Sequence, residues 1–288
     1  MIFRNPDNGD SHNITAPTDN RSQPYGCIGK LNTWGCATVI GPKLACSAAH
    51  LGAQLGGKEI RISPGDTLNI GGVDYTISST QLSLNCPDVQ YLFFDKEFPA
   101  ANIAKLWRFE VYGINNKLFY AGNGIGRGIA AIKPDGTLYG WYPGEVESAG
   151  FRWGTGVLNE LVMSDQPQNR IFASRFEDPF SQAAFLESGD SGGGCFFDGG
   201  PTDSPWLYLG PAVSADGTFA RFDVSLRGVI GCLIYPDLTQ IDAWNGAVTP
   251  APPDTTYRCV IQKHEGGGWV TIAEGPLSSV APQKMILG

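Results

Sequence analysis

Gly189-Asp190-Ser191-Gly192-Gly193 sets a serine among glycines, and Ser47-Ala48-Ala49-His50 closes an apolar run on a histidine. A serine hydroxyl is a weak nucleophile at neutral pH and needs an imidazole to take its proton. Glycines beside the serine let backbone come close to a substrate carbonyl, and an N–H on either side of the turn can face a developing oxyanion. Of the three histidines, His12, His50 and His264, only His50 follows such an apolar run. The two segments together point to serine hydrolase chemistry.

The rest of the sequence bounds the scaffold. At 288 residues the chain can bury a large core, as one extended domain or two small barrels in series. Charged residues make up 17%, whereas Gly (38) and Pro (20) are abundant, a composition of many turns and few long helices that predicts an all-β protein. The net charge of −8 and the lack of a Lys/Arg cluster argue against a nucleic-acid partner. No apolar run reaches the roughly 18 residues of a membrane span, so no membrane partner is expected.

Residues 1–25 are polar and show no signal-peptide apolar region, and with Met1 retained we expect neither a lost leader nor a clipped N-terminus. Seven cysteines are an odd number and form no C-x-x-C pair, so at least one stays unpaired within the chain, and Cys46 and Cys195, in apolar strand-like runs, read as small buried hydrophobes. One or two bridges stay open, but the pattern does not demand an oxidising compartment. The scattered histidines give no metal site, and no cofactor is implied.

Along the chain, residues 1–24 read as a polar arm of low intrinsic structure. Short apolar or alternating runs follow at Ala37–Ile40, Leu44–Ala48, Glu59–Ser63, Tyr75–Ser79 and Val89–Phe94. A second set covers Lys117–Ala121, Gly128–Ile132, Thr137–Trp141, Arg170–Ser174, Gly194–Phe197, Trp206–Leu209 and Gly228–Leu233. Such spacing predicts two β units in series. Pro236 and Asp237 give helix start signals, with Leu238, Ile241 and Trp244 on one face before Gly246. Val248–Pro253 reads as a stiff linker to a hairpin of Tyr257–Gln262 and Trp269–Ala273. A lone hairpin is barely stable, so this tail is expected to rest on the main domain or on a partner. The glycine-rich run Gly122–Gly128 lacks nucleotide-loop spacing, since Arg127 takes the last glycine's place, and reads as a β-turn.

These residues, in this order, resemble the trypsin/chymotrypsin-like serine proteases over residues 25–246. Val39–His50 looks like the strand-turn-strand that leads to the catalytic histidine, and Gly189–Gly193 matches the nucleophile loop residue for residue. Cys86-Pro87-Asp88-Val89-Gln90-Tyr91-Leu92 is similar to the family's acid followed by an alternating strand, which singles out Asp88 over Asp95. Leu209–Ser214 looks like the cleft-lining strand with one residue added, and Phe119–Gly124 like the opening strand of the second barrel.

The resemblance implies two six-stranded antiparallel β-barrels with a boundary near 105–116 and a C-terminal helix; residues 247–288 lie outside it and read as a Pro-rich linker and C-terminal β-hairpin extension. It implies a His50–Asp88–Ser191 triad, an oxyanion hole from the N–H groups of Gly189 and Ser191, and substrate contacts from Phe185, Ser188, Ser214 and Asp216. Phe185 stands where trypsins carry the carboxylate that selects Arg or Lys. A non-tryptic preference for an apolar or small side chain follows, with Glu187 and Asp216 adding negative charge to the pocket wall. Leu51 follows the histidine where a Cys commonly stands, and Cys36 is offset from its usual partner, so the family's disulfides are not expected.

In the secreted members, cleavage frees an apolar N-terminus whose ammonium pairs with the Asp before the nucleophile. No Ile-Val-Gly-Gly stands near the start here; Cys27-Ile28-Gly29 is a faint echo. Asp190 is therefore expected to find another internal partner, a Lys, an Arg or a backbone donor, or else the chain is a latent precursor. The resemblance implies an endopeptidase acting on polypeptide. The alternatives are an inactive module docking in a larger assembly through residues 1–24 and 250–288, or an esterase or acyl transferase using the same triad.

Overall fold

A computed structural model describes residues 1–3, 13–52, 62–86, 88–108, 117–163, 170–176, 183–198, 206–217, 220–221, 225–246, 258–265 and 268–276. Met1–Gly246 and Ala247–Gly288 form separate compact units. The first opens with a short strand, β1 (Ile2–Phe3), and one helical turn, α1 (Ser22–Gly26). Six strands follow: β2 (Ile28–Leu31), β3 (Cys36–Gly41), β4 (Leu44–Ala48), β5 (Thr67–Ile70), β6 (Val73–Leu82) and β7 (Val89–Phe94). They close into an antiparallel barrel in the order β2-β3-β4-β7-β6-β5.

The second half runs through β8 (Lys117–Gly122), a ribbon of β9 (Arg127–Ile132) and β10 (Leu138–Pro143), β11 (Arg152–Met163) and β12 (Arg170–Arg175). It continues with β13 (Ala184–Phe185), β14 (Gly194–Asp198), β15 (Trp206–Ser214), β16 (Ala220–Arg221) and β17 (Arg227–Cys232). Strands β11-β12-β17-β15-β14-β8 close a second six-stranded barrel, and helix α2 (Leu238–Trp244) ends the unit. The second unit holds an antiparallel hairpin of β18 (Arg258–Glu265) and β19 (Gly268–Pro276). The all-β class, the double barrel, the C-terminal helix and the hairpin are thus as expected.

Strand periodicity explains why β3, β4 and β7 are almost wholly buried. Successive side chains on a strand point to opposite faces. Ala37, Val39, Ala45, Leu92 and Phe94 fill the first barrel, together with Leu31, Leu68 and Ile77. The intervening Cys36, Ile40, Leu44, Cys46, Val89 and Tyr91 share a cluster with Phe119, Phe196 and Tyr208 of the second barrel and Leu238 and Ile241 of α2. Leu118, Leu158, Phe172 and Val229 belong to the second barrel's own core. All six described cysteines are buried and unbridged. Burial raises the Cys27 thiol to about 12, which suits a small apolar side chain.

Three local expectations are corrected. The described residues of the amino-terminal segment, 1–3 and 13–24, are docked rather than an arm of low structure. Ile2 and Phe3 pair with Phe185 and Ala184, Asn13 Nδ2 donates to the Trp153 carbonyl at 2.8 Å, and Trp153 Nε1 donates to the Thr15 carbonyl at 2.9 Å. Residues 123–126 form an irregular loop between β8 and β9 rather than a β-turn. Of the run Glu59–Ser63, residues 59–61 lie outside the described residues, and Ile62 and Ser63 are not in a strand; Thr67–Ile70 supplies that edge instead.

Candidate active site

Strand register brings the first two site residues together. In the antiparallel pair β4–β7, Ala48 lies opposite Val89, so the residue after β4 and the residue before β7 emerge at the same barrel end. His50 occupies a 3₁₀ turn over Ala49–Gly52. Its backbone N–H donates to Asp88 Oδ1 at 2.8 Å, and the Ala49 N–H donates to the Asp88 carbonyl at 3.2 Å. The ring follows: Nδ1 lies 2.9 Å from Asp88 Oδ1 and 2.8 Å from Oδ2. An ionised carboxylate only accepts, so Nδ1 carries the proton and Nε2 is left with a lone pair. That lone pair faces Ser191 Oγ at 2.8 Å. Asp95 is exposed on the far end of β7.

Ser191 lies in the turn between β13 and β14, seated directly on the first barrel. Its carbonyl accepts the Cys36 N–H at 2.9 Å. A side chain at Gly192, where φ is +81°, would meet the Cys36 carbonyl oxygen at 2.0 Å and Ser47 Oγ at 2.4 Å, so only glycine allows this approach. Within the turn, the Asp190 N–H donates to Glu187 O, Gly192 to Ala212 O and Gly193 to Asp190 O. Among the described residues, nothing accepts the N–H of Gly189 or Ser191. An imidazole between a carboxylate and an alcohol, beside two unspent amides, can deprotonate the alcohol and bind a nearby oxyanion.

Asp190 is fully buried; backbone donors hold it, as expected, and a group that was not expected joins them. The α-ammonium of Met1 reaches Asp190 Oδ2 at 2.9 Å, with both groups at 0% exposure, and also donates to the Ile125 carbonyl. Gly124 N–H donates to Asp190 Oδ1 at 2.7 Å and Glu187 N–H to Oδ2 at 2.9 Å. The carboxylate is thus fully satisfied, which a buried charge requires. The glycine-rich loop is the cradle: a Cβ on Gly124 would lie 2.4 Å from Asp190 Cγ. Arg152, 4% exposed, holds this loop through the carbonyls of Gly124 (3.2 Å), Gly150 (3.2 Å) and Ser148 (2.9 Å). The apolar Met1-Ile2-Phe3 triplet was the only sequence signal for this docking, and polar surroundings masked it.

The residues expected to contact substrate differ in exposure and in partners. Ser188 and Ser214 are exposed, and Ser214 follows a bulge in which Ala212 and Ser214 face the consecutive residues Gly231 and Ile230. Phe185 is 1% exposed and joins Ile2, Phe176 and Ala220 in an apolar cluster, so it presents no free surface to a ligand. Asp216 is held by Arg227, whose Nε and Nη2 lie 2.9–3.1 Å from the carboxylate; this hydrogen bonding lowers the Asp216 pKa. Glu187 sits beside the Met1–Asp190 pair with Oε1 buried and without a hydrogen-bond partner. Burial first, opposed by the Met1 ammonium and reinforced by the Asp190 charge, pushes its pKa up to about 7. Among the described residues, no group of three or more His, Cys, Asp or Glu could hold a metal ion.

No family model matches the chain, and no curated protein matches it either. Its class rests on architecture: two six-stranded antiparallel barrels, consistent with the trypsin-like double-barrel fold.

Proposed function

We propose that the chain is a serine endopeptidase working through an acyl-enzyme. The observation that carries this reading is His50, with Asp88 at 2.8 Å from Nδ1 and Ser191 Oγ at 2.8 Å from Nε2. Ser191 Oγ attacks the scissile carbonyl while its proton passes to His50 Nε2, and Asp88 stabilises the imidazolium. The carbonyl oxygen becomes an oxyanion held by the N–H groups of Gly189 and Ser191. His50 returns the proton to the leaving amine, and water then repeats the sequence on the ester to release the acid. The Met1–Asp190 pair tethers the turn that carries both amides.

A fluorophosphonate probe tests this reading. Ser191 of the folded chain should be labelled between pH 6 and 9, with labelling lost in Ser191→Ala. Peptide and ester panels separate the acyl chemistries: cleavage of peptides supports the endopeptidase, and turnover of esters alone overturns it in favour of an esterase. No labelling of well-folded protein overturns both.

A further inference from the structure

Asp237 is the helix N-cap residue of α2, yet its side chain makes no capping hydrogen bond. It is 1% exposed and turns instead toward the first barrel. Its Oδ2 accepts from Ser83 Oγ at 2.6 Å and from Tyr91 Oη at 2.5 Å, and its Oδ1 accepts from Asn85 Nδ2 at 2.6 Å. Asn85 Nδ2 also lies 3.3 Å from the Pro236 carbonyl. A hydroxyl has one proton to give, and Ser83 gives it to Asp237, so its oxygen is free to accept. It accepts the N–H of Asn85 at 3.0 Å and of Cys86 at 2.8 Å. The turn is closed by Ser83 N–H to the Val89 carbonyl (2.9 Å) and Val89 N–H to the Cys86 carbonyl (3.2 Å).

Asp88 sits inside this turn. We infer that Asp237 is a positioning residue for Asp88: from the end of the second barrel it clamps the Ser83–Val89 turn of the first, and through that turn sets where the carboxylate meets His50. The inference rests on the proposed role of the triad. The donors around Asp237 are anchored on the turn at Ser83 and Asn85 and on β7 at Tyr91, so the network fixes the turn at two points and the strand that follows it at a third, while leaving the Asp88 carboxylate to the imidazole. A carboxylate that accepts three hydrogen bonds has no neutral equivalent, because an amide would turn an N–H toward one of the donors. Misplacing a reacting group by about 1 Å costs on the order of 100-fold in rate.

The test compares Asp237→Asn with wild type on a peptide substrate, with active sites titrated by fluorophosphonate. We expect kcat per titrated site to fall by about 10- to 100-fold with KM little changed. The acid limb of the kcat/KM profile should move to lower pH, because an imidazolium deprived of a well-placed Asp88 loses its proton sooner. Ser83→Ala and Tyr91→Phe each remove one tether and should show smaller falls in the same direction; they decide the matter if Asp237→Asn does not fold. A variant set with lower melting temperatures but unchanged kcat per site and an unchanged pH profile overturns the positioning role alone. Wild-type protein that folds but is not labelled at Ser191 overturns the triad reading, and this inference with it.

Discussion

Asp190→Asn is the most demanding perturbation. It leaves the Met1 ammonium, at 0% exposure, facing an amide in place of a carboxylate. Removing one partner of a buried ion pair costs about 3–5 kcal/mol. The structure has one means of relief, which is to let Met1-Ile2-Phe3 leave. All three are at most 2% exposed, and burial of such side chains is worth about 1.5–3 kcal/mol each. Ordering three residues of backbone costs about 1–2 kcal/mol each, leaving a net docking energy of about 2–3 kcal/mol. The unpaired ammonium outweighs this, so the segment should release and the Glu187–Gly193 turn should lose its tether. Restoring the docked turn in the variant then costs the difference, about 1.5 kcal/mol at mid-range and up to about 3 kcal/mol, which corresponds to a fall in kcat/KM of about 10- to 150-fold. The assay is the rate of Ser191 labelling and of peptide cleavage, with hydrogen exchange at residues 1–3 reporting release. Acetylating the α-amino group, which leaves Asp190 intact, should reproduce the effect. Folded Asp190→Asn and acetylated samples that keep more than about a third of the wild-type labelling rate, well above the loss expected for a buried ion pair, would refute the reasoning.

Gly124→Ala forces a methyl to within 2.4 Å of Asp190 Cγ; slowed labelling like that of Asp190→Asn, with a barrel circular-dichroism spectrum intact, is the expected outcome. Glu187 holds its proton to about pH 7 when folded but only to about 4.3 when unfolded. The native state therefore binds the extra proton in that window, and stability falls as pH rises through it. Glu187→Gln should flatten this slope and gain up to about 3 kcal/mol at pH 8 but nothing at pH 4, as read by chemical denaturation. Arg152→Met strips the guanidinium from three loop carbonyls; a loss of about 3 kcal/mol in denaturant unfolding is expected, with slower labelling.

Much of the site was legible because its parts lie in short contiguous motifs. His50 follows strand Leu44–Ala48, and Asp88 precedes strand Val89–Phe94, both strands with the bounds their apolar runs suggested. The barrel strands that escaped reading lack that contrast. Arg152–Met163 is interrupted by Gly154 and Gly156, and Thr67–Ile70 is only four residues long with Asn69 within it. The Asp190 partner was illegible for a different reason: an α-ammonium is not a side chain, and no residue type announces it. Asp237 did carry a signal, the N-cap preference, but the carboxylate is used across the barrel interface, which a local rule cannot see.

The ammonium's acceptor at Ile125 is 124 residues away along the chain, and Asp190 is further still. Both must already be in place before residue 1 has anywhere to go, so this docking belongs to the last stage of folding. Refolding from denaturant should therefore pass through a species with both barrels formed and native tryptophan emission but a silent Ser191, and recovery of labelling should lag behind recovery of fluorescence.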